Sequence, residues 1–282
     1  MNKKRLLLVI GIVALLFMVT GCTIPMDENG NIVLIETTTK FNEMFNEGIF
    51  SAILTYPLAQ ALNFLSPIFS VGGAIMVVTL GINAIILVFT FRQNVAMQKM
   101  QQIQPELQKI QKKYEGRNDQ QSQMRMSMEM QNLYKKYNVN PFGALLTSFI
   151  QLPILFAVYS AVRRSAAVAN GSFLGTSLAI TPTQAFSSRA WIAVLIYVLM
   201  LVFQFLSIKL PMMLQEKRAK AEAAAHFRRY DKPENNNAMM TYGMLIFIAI
   251  IMLSWPTALS LYYMIYSLVN IIKTLVIDKI TN

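Results

Sequence analysis

What limits this chain most is where charge is missing. After Glu47 the sequence holds four strongly apolar charge-free stretches, at 48–91, 138–162, 190–208 and 235–272. A charged side chain costs several kcal/mol at the centre of a bilayer, so such stretches mark candidate membrane spans. A hydrocarbon core of about 30 Å needs about 20 helical residues to cross. The first stretch is too long for one span and contains Pro57 and Pro67. It reads as an amphipathic helix over Ile49–Leu65, lying at the outer interface and broken by proline, followed by a first span at 71–91. Spans two and three fall at 142–162 and 190–208. The last stretch is again too long, and Pro256 divides it into spans at 238–255 and 257–277. The expected fold is an all-α polytopic membrane protein with five transmembrane helices.

Composition supports that class. Only 14% of the residues are charged and 55% are hydrophobic, whereas soluble domains carry about a quarter charged residues. The net charge of +11 would suit nucleic acid in a soluble protein, but its distribution points elsewhere. The segment 92–140 has nine Lys and Arg and the segment 209–237 has seven, against Lys40, Arg163, Arg164 and Arg189 in the segments on the other side. Positive charge gathers on the cytoplasmic side of membrane proteins. The N-terminus is therefore expected outside the cell, with the basic loop 209–237 and the short tail 278–282 in the cytoplasm. The outer parts are then 22–70 and the loop 163–189. The expected location is a bacterial cell membrane, with no specific nucleic-acid partner.

The first 21 residues read as a lipoprotein signal peptide. Lys3, Lys4 and Arg5 precede an apolar stretch from Leu6 to Val19, too short to span, which ends in Val19-Thr20-Gly21-Cys22. Small residues beside a scissile bond and a thiol to accept diacylglycerol make Cys22 the expected lipidation site and the mature N-terminus. Cys22 is the sole cysteine and His226 the sole histidine, so neither an intrachain disulfide nor a zinc site is expected. No metal or other cofactor is expected.

The segment 92–140 is too long for a plain connector. Ile103, Leu107, Ile110 and Tyr114 recur at helical spacing, as do Met126, Met130, Leu133 and Tyr137 after the turn Gly116-Arg117-Asn118-Asp119. Two such stripes predict an antiparallel helical hairpin in the cytoplasm. Pro105 starts or kinks its first helix, and Asn140-Pro141 restarts helix toward the membrane. Met124 and Met128 lie off the packing stripe, and adaptable Met surfaces suit capture of varied apolar segments.

This arrangement resembles the YidC/Oxa family of membrane protein insertases in its Gram-positive lipoprotein form. The resemblance runs from about Tyr56 to Ile277. It is carried by Gln104-Pro105-Glu106-Leu107-Gln108-Lys109-Ile110-Gln111-Lys112-Lys113-Tyr114, by Leu133-Tyr134-Lys135-Lys136-Tyr137, by Asn140-Pro141 with Ile150-Gln151-Leu152-Pro153-Ile154 and Tyr159, and by Trp255-Pro256 with Leu261-Tyr262-Tyr263 and Ile271-Ile272. It implies a polar groove, open to the cytoplasm and to lipid and closed outside, through which the polar flank of a substrate passes without nucleotide hydrolysis. Nascent integral membrane proteins and membrane lipid are the implied partners, with the Sec translocase and the ribosome as further candidates. Such a groove is physically reasonable, because each unsatisfied polar group in hydrocarbon costs several kcal/mol. Helical spacing selects candidate lining groups: Thr79 and Asn83 on span one; Thr147, Ser148 and Gln151 on span two; Gln204 and Ser207 on span three; Tyr263, Ser267 and Asn270 on span five. The competing view is that such residues only join helices together.

One departure bears on mechanism. Relatives commonly place an arginine in span one after a run like Val77-Val78-Thr79-Leu80; here Asn83 takes that place. Arg92, nine residues on, belongs at the cytoplasmic mouth. Thr147 and Ser148 also stand where the family often has proline. A weaker preference for acidic substrate flanks is expected, and a specialised paralogue acting as an assembly chaperone is the alternative function. Catalysis is not expected, since the five spans hold no Asp, Glu, His or Cys for a dyad or a metal. The same lack of Asp, Glu and His in the spans counts against an ion-coupled transporter. Changing Cys22 to Ala should abolish incorporation of labelled palmitate and leave the leader uncleaved, checked by metabolic labelling and intact-protein mass.

Overall fold

The computed structural model describes residues 24–281, apart from 118, 140, 226 and 228–237; side chains at 89–99, 101–102, 104–105, 141–151, 222, 238–241 and 281 also lie outside the description. The leader, Cys22 and His226 therefore fall outside the described residues. From Phe41 on, the described residues are mostly helical, with one two-stranded hairpin; the extended segment before them makes isolated bridges, Met26 with Ile32 and Ile35 with Ser165. Helix α1 (Phe41–Glu47) is followed by a π-helical turn at Ser51–Thr55 and by α2 (Tyr56–Gln102). Next come α3 (Gln104–Lys113), α4 (Gln120–Lys136), α5 (Pro141–Arg164) and the short α6 (Ala166–Asn170). Strands β1 (Ser172–Phe173) and β2 (Thr176–Ser177) pair antiparallel, with Phe173 opposite Thr176. Helices α7 (Pro182–Ser187), α8 (Trp191–Ala225), α9 (Ala238–Leu253) and α10 (Thr257–Thr281) complete the chain.

Among the described residues, three helical stretches are long and apolar enough to cross a membrane: Ser51–Val88, Trp191–Ala225 and Thr257–Ile280, with Tyr242–Leu253 as a shorter apolar helix. Helix α10 packs between α8 and α2, and α2 packs in turn on α5. The main core gathers Leu62, Ala74, Ile75, Val158, Val162, Leu178, Met200, Leu259 and Tyr262 from all of these elements.

The helix boundaries differ from the expected segment boundaries at four places. Proline does not break the first apolar helix. Pro57 sits in the first turn of α2, and the helix runs through Pro67 to a break at Ser70, whose φ of 64° and ψ of 167° are far from helical. The reversal just after Ser70 is crowded: a Cβ on Gly72 would fall 2.2 Å from the Phe173 ring, and one on Gly171 would fall 2.3 Å from Val71 Cγ2. Second, α2 passes Phe91 and continues to Gln102. Third, the segment from Lys209 is no loop at its start, because α8 absorbs Pro211 and runs to Ala225. Good helix formers (Gln215-Glu216-Lys217-Arg218-Ala219-Lys220) carry it on, and the Lys220–Glu216 pair at 2.8 Å is spaced one turn apart. Fourth, the residues after Ile277 continue α10 to Thr281, held where Asp278 accepts a hydrogen bond from Arg218 of α8.

Helices α3 and α4 pack through Ile103, Leu107, Leu133 and Val139. Their contacts cross in opposite senses: Lys113 Nζ donates to Glu129 at 2.6 Å, while Tyr137 reaches Glu106 at the other end. The Lys113 ammonium and the Tyr114 hydroxyl hold the Glu129 carboxyl below its ordinary range. Asp119 caps α4 by accepting from the Ser122 amide at 2.8 Å. Tyr137 departs from the expected packing stripe; it is 37% exposed, its hydroxyl engages Glu106 and its ring lies beneath the Lys136 ammonium at 5.0 Å.

The segment before α2 is fastened by two buried polar groups. Arg164, 1% exposed, grips Glu47 with both terminal nitrogens at 2.7 and 2.8 Å, and its Nε donates to the Val33 carbonyl at 3.0 Å. Asn63 donates to the Ile35 carbonyl at 2.6 Å and accepts from Ser165 Oγ at 2.7 Å and the Ala167 amide at 3.1 Å. Removing one partner of a buried, bidentate pair strands the other. Arg164→Leu should therefore destabilise the fold by about 2–4 kcal/mol, less than a fully desolvated pair because Glu47 is part exposed. Thermal unfolding in detergent, with the exposed Arg125→Leu as the comparison near zero, checks this.

Candidate functional site

The polar residues picked out on span one lie inside the bundle. Thr79 and Asn83 are 1% and 3% exposed, one turn apart on the same face of α2. Thr79 Oγ donates to the Ile75 carbonyl at 2.6 Å, and Asn83 Nδ2 donates to the Thr79 carbonyl at 2.9 Å. Both bonds go to carbonyls of their own helix, so neither side chain joins α2 to a neighbour through them. Asn83 Oδ1 is buried with no hydrogen-bond partner among the described residues. Thr79 also borders a cavity of about 10 Å³, roughly one water in size, with Ile75, Val158, Val162 and Tyr262.

Span-five candidates divide between two duties. Ser267 is fully buried and its Oγ donates to Gln204 Oε1 at 2.5 Å, which ties α10 to α8. Ser207 turns back to its own helix, donating to the Gln204 carbonyl at 2.9 Å. Gln204 and Ser267 thus act as a helix-to-helix contact. Tyr263 is 8% exposed in a ring cluster with Tyr262 and Tyr266 at 5.4–6.2 Å, and Asn270 is partly buried one turn below Tyr266. On α5 the side chains of Thr147, Ser148 and Gln151 lie outside the described residues, as does that of Arg92 on α2. Met124 and Met128 are 59% and 56% exposed on α4, whereas Met126 and Met130 are partly buried, Met130 against the cluster shared with α3. Among the described residues no cluster of His, Cys, Asp or Glu is placed to hold a metal.

One end of the bundle is sealed by its loops. The chain after β2 offers the Leu178 and Ile180 carbonyls to the first two amides of α10, Ala258 at 2.9 Å and Thr257 at 2.8 Å. Thr183 Oγ donates to the Leu253 carbonyl at the end of α9 at 2.8 Å, and Thr181 with Gln184 forms a reciprocal cap on α7. The Asn63 and Arg164 nodes lie at this same end, where α5 stops. Sequence reasoning missed both, since an Asn in an apolar run and a Arg-Arg pair before a loop carry no periodic signal.

The arrangement of long apolar helices with buried polar positions can be compared with known proteins. The family model described as 60Kd inner membrane protein matches residues 63–282. The chain belongs to the YidC/Oxa family. It is 31% identical over 271 residues to membrane protein insertase YidC 2 of Bacillus anthracis, covering 95% of this chain and 91% of that one. It is 28% identical over 284 residues to membrane protein insertase YidC of Oceanobacillus iheyensis, covering 98% and 97%. A shorter match, 37% over 176 residues, is to membrane protein insertase YidC of Enterococcus faecalis, covering 62% and 58%. With its apolar helices, this YidC/Oxa protein is a multi-pass protein of the cell membrane. These names do not favour a separate role as an assembly chaperone.

Within the family fold, Asn83 is a buried polar group of little structural use. Its amide bonds a carbonyl already in the helical ladder, and its oxygen bonds nothing described. Replacing a poorly satisfied buried amide by an apolar side chain of similar size is nearly neutral or stabilising. Asn83→Leu should therefore leave the thermal midpoint in detergent unchanged or raised, within about 1 kcal/mol, despite its burial.

Proposed function

We propose that this chain is a membrane protein insertase that lets the polar flank of a substrate pass through an intramembrane polar groove while the apolar segment moves into lipid, without nucleotide hydrolysis. The observation that carries this is end-to-end similarity to proteins named membrane protein insertase YidC, joined to a buried polar pair, Thr79 and Asn83, that does no helix-joining work. In this reading there are five spans: α2 from Val71, α5, the first part of α8, α9 and α10. The sealed end and residues 24–47 face outward, the chain is lipid-anchored through Cys22, and the α3–α4 pair and the C-terminus are cytoplasmic. The groove narrows toward the sealed end at Thr79 and Tyr262. Thr147, Ser148, Gln151, Tyr263 and Asn270 contribute to its walls, with Gln204, Ser207 and Ser267 bracing α8 against α10. Met124 and Met128 offer the arriving apolar segment an adaptable surface. The Sec translocase and the ribosome are partners in this proposal.

Because Asn83 is uncharged, the deep part of the groove attracts acidic tails less than an arginine there would. A strain depleted of its own insertases should regain growth when this chain is expressed, and Asn83→Leu should rescue at least several-fold less well while remaining at wild-type level in the membrane. Absence of rescue by a stably membrane-integrated wild-type chain overturns the insertase proposal.

A further inference from the structure

Helix α10 carries one charge whose use the bundle does not explain. Lys273 is partly buried and makes no hydrogen bond or ion pair among the described residues. It lies eleven residues beyond Tyr262, close to three full turns, and seven beyond Tyr266, so all three share one face of the helix. Tyr262 on that face borders the cavity made with Thr79 of α2 and Val158 and Val162 of α5. The α8-facing side is different, marked by Ser267 to Gln204 and Asp278 to Arg218. Lys273 therefore points to the side where α2 and α5 stand.

Its depth follows from helix direction. Both α2 after Ser70 and α10 start at the sealed end, since Val71 packs on Gly171 and Thr257 bonds Ile180. They run parallel, so Asn83, four residues past Thr79, is level with Tyr266, four past Tyr262. Lys273 lies about 10 Å further along at 1.5 Å per residue, at the far mouth of the same space. Among the described side chains of the spanning helices, no carboxylate pairs with it. Glu216 is paired with Lys220 and Asp278 with Arg218, and Glu222 lies about 13 Å further along by the register that aligns Arg218 with Asp278. An ionisable group inside a membrane helix is expensive and generally serves a path or a ligand.

We infer that Lys273 is an anion-recognising, specificity-determining residue at the cytoplasmic mouth of the groove, where its ammonium meets carboxylates on the polar flank of a passing substrate. This rests on the insertase proposal above and deepens it: a cation at the mouth with Asn83 deeper gives a modest acidic preference, exerted early in passage. The same ammonium chemistry also fits lipid phosphate, and the experiment separates the two. The full chain is reconstituted into vesicles of zwitterionic lipid with and without added anionic lipid. Insertion of single-span test proteins with acidic or neutral tails is then measured for wild type, Lys273→Gln and Lys273→Arg. Lys273→Gln should lower insertion of the acidic-tailed protein roughly 2- to 5-fold, the scale of one partly exposed ion pair, leave the neutral-tailed protein unchanged, and be restored by Lys273→Arg in both lipid mixtures. Equal loss for both tails, no loss for either, or a loss that follows anionic lipid rather than tail charge overturns the assignment. Failure of the wild type to insert either protein would instead count against the insertase proposal itself.

Discussion

Hydrocarbon supplies no hydrogen bonds, and every part of this fold answers to that constraint. A backbone amide left open at a helix end, or a side-chain charge without a partner, costs several kcal/mol there. The sealed end meets the requirement residue by residue: two loop carbonyls cover the first amides of α10, a threonine covers the last turn of α9, and the Asn63 amide satisfies the Ile35 carbonyl, Ser165 and Ala167 at once. Arg164, the most deeply buried charge described, is accepted because Glu47 and Val33 saturate its guanidinium. The crowding at Gly72 and Gly171 follows from the same need, since the β1–β2 hairpin can close the end only by approaching the α2 backbone directly.

Against such thorough pairing, the exceptions carry meaning. Polar groups that tie helices, such as Gln204 with Ser267, behave as the rest of the bundle does. Asn83 and Lys273 do not. Both are on faces turned to the space between α2, α5 and α10, and both keep bonding capacity that the described residues leave unused. Thr55 Oγ1 and Ser260 Oγ are also buried without a partner among the described residues; in the proposed groove, a travelling polar segment would need bonds that the fold has left open.

Much of the helical framework was legible from sequence. The five stretches read as spans from absent charge are each occupied by helix, because exclusion of charge from hydrocarbon leaves a mark at every position. The stripes 103–114 and 126–137 mark helices that pack, because burial on one side imposes a helical period. Helix ends were less visible. Nothing in the charge pattern distinguishes α8 ending at Ile208 from α8 ending at Ala225, since a helix leaving the bilayer needs only propensity to continue. Similarly, Pro67 announces a break, but the turn falls at Ser70, where Gly72 lets Phe173 approach.

Sequence alone determined the class of this protein: apolar helices, their basic connecting segments and, through the motifs it shares, membership of the YidC/Oxa family. These depend on local transfer energies and on order along the chain, which sequence records directly. Only the tertiary structure decided which polar residues are used up. Gln204 and Ser267 meet because α8 and α10 align at that level, Arg164 is buried because residues 33–47 fold over it, and Asn83 and Lys273 come to share a side because α2 and α10 run parallel. Pairing is a relation between distant segments, and its free energy has no period or composition from which it can be read.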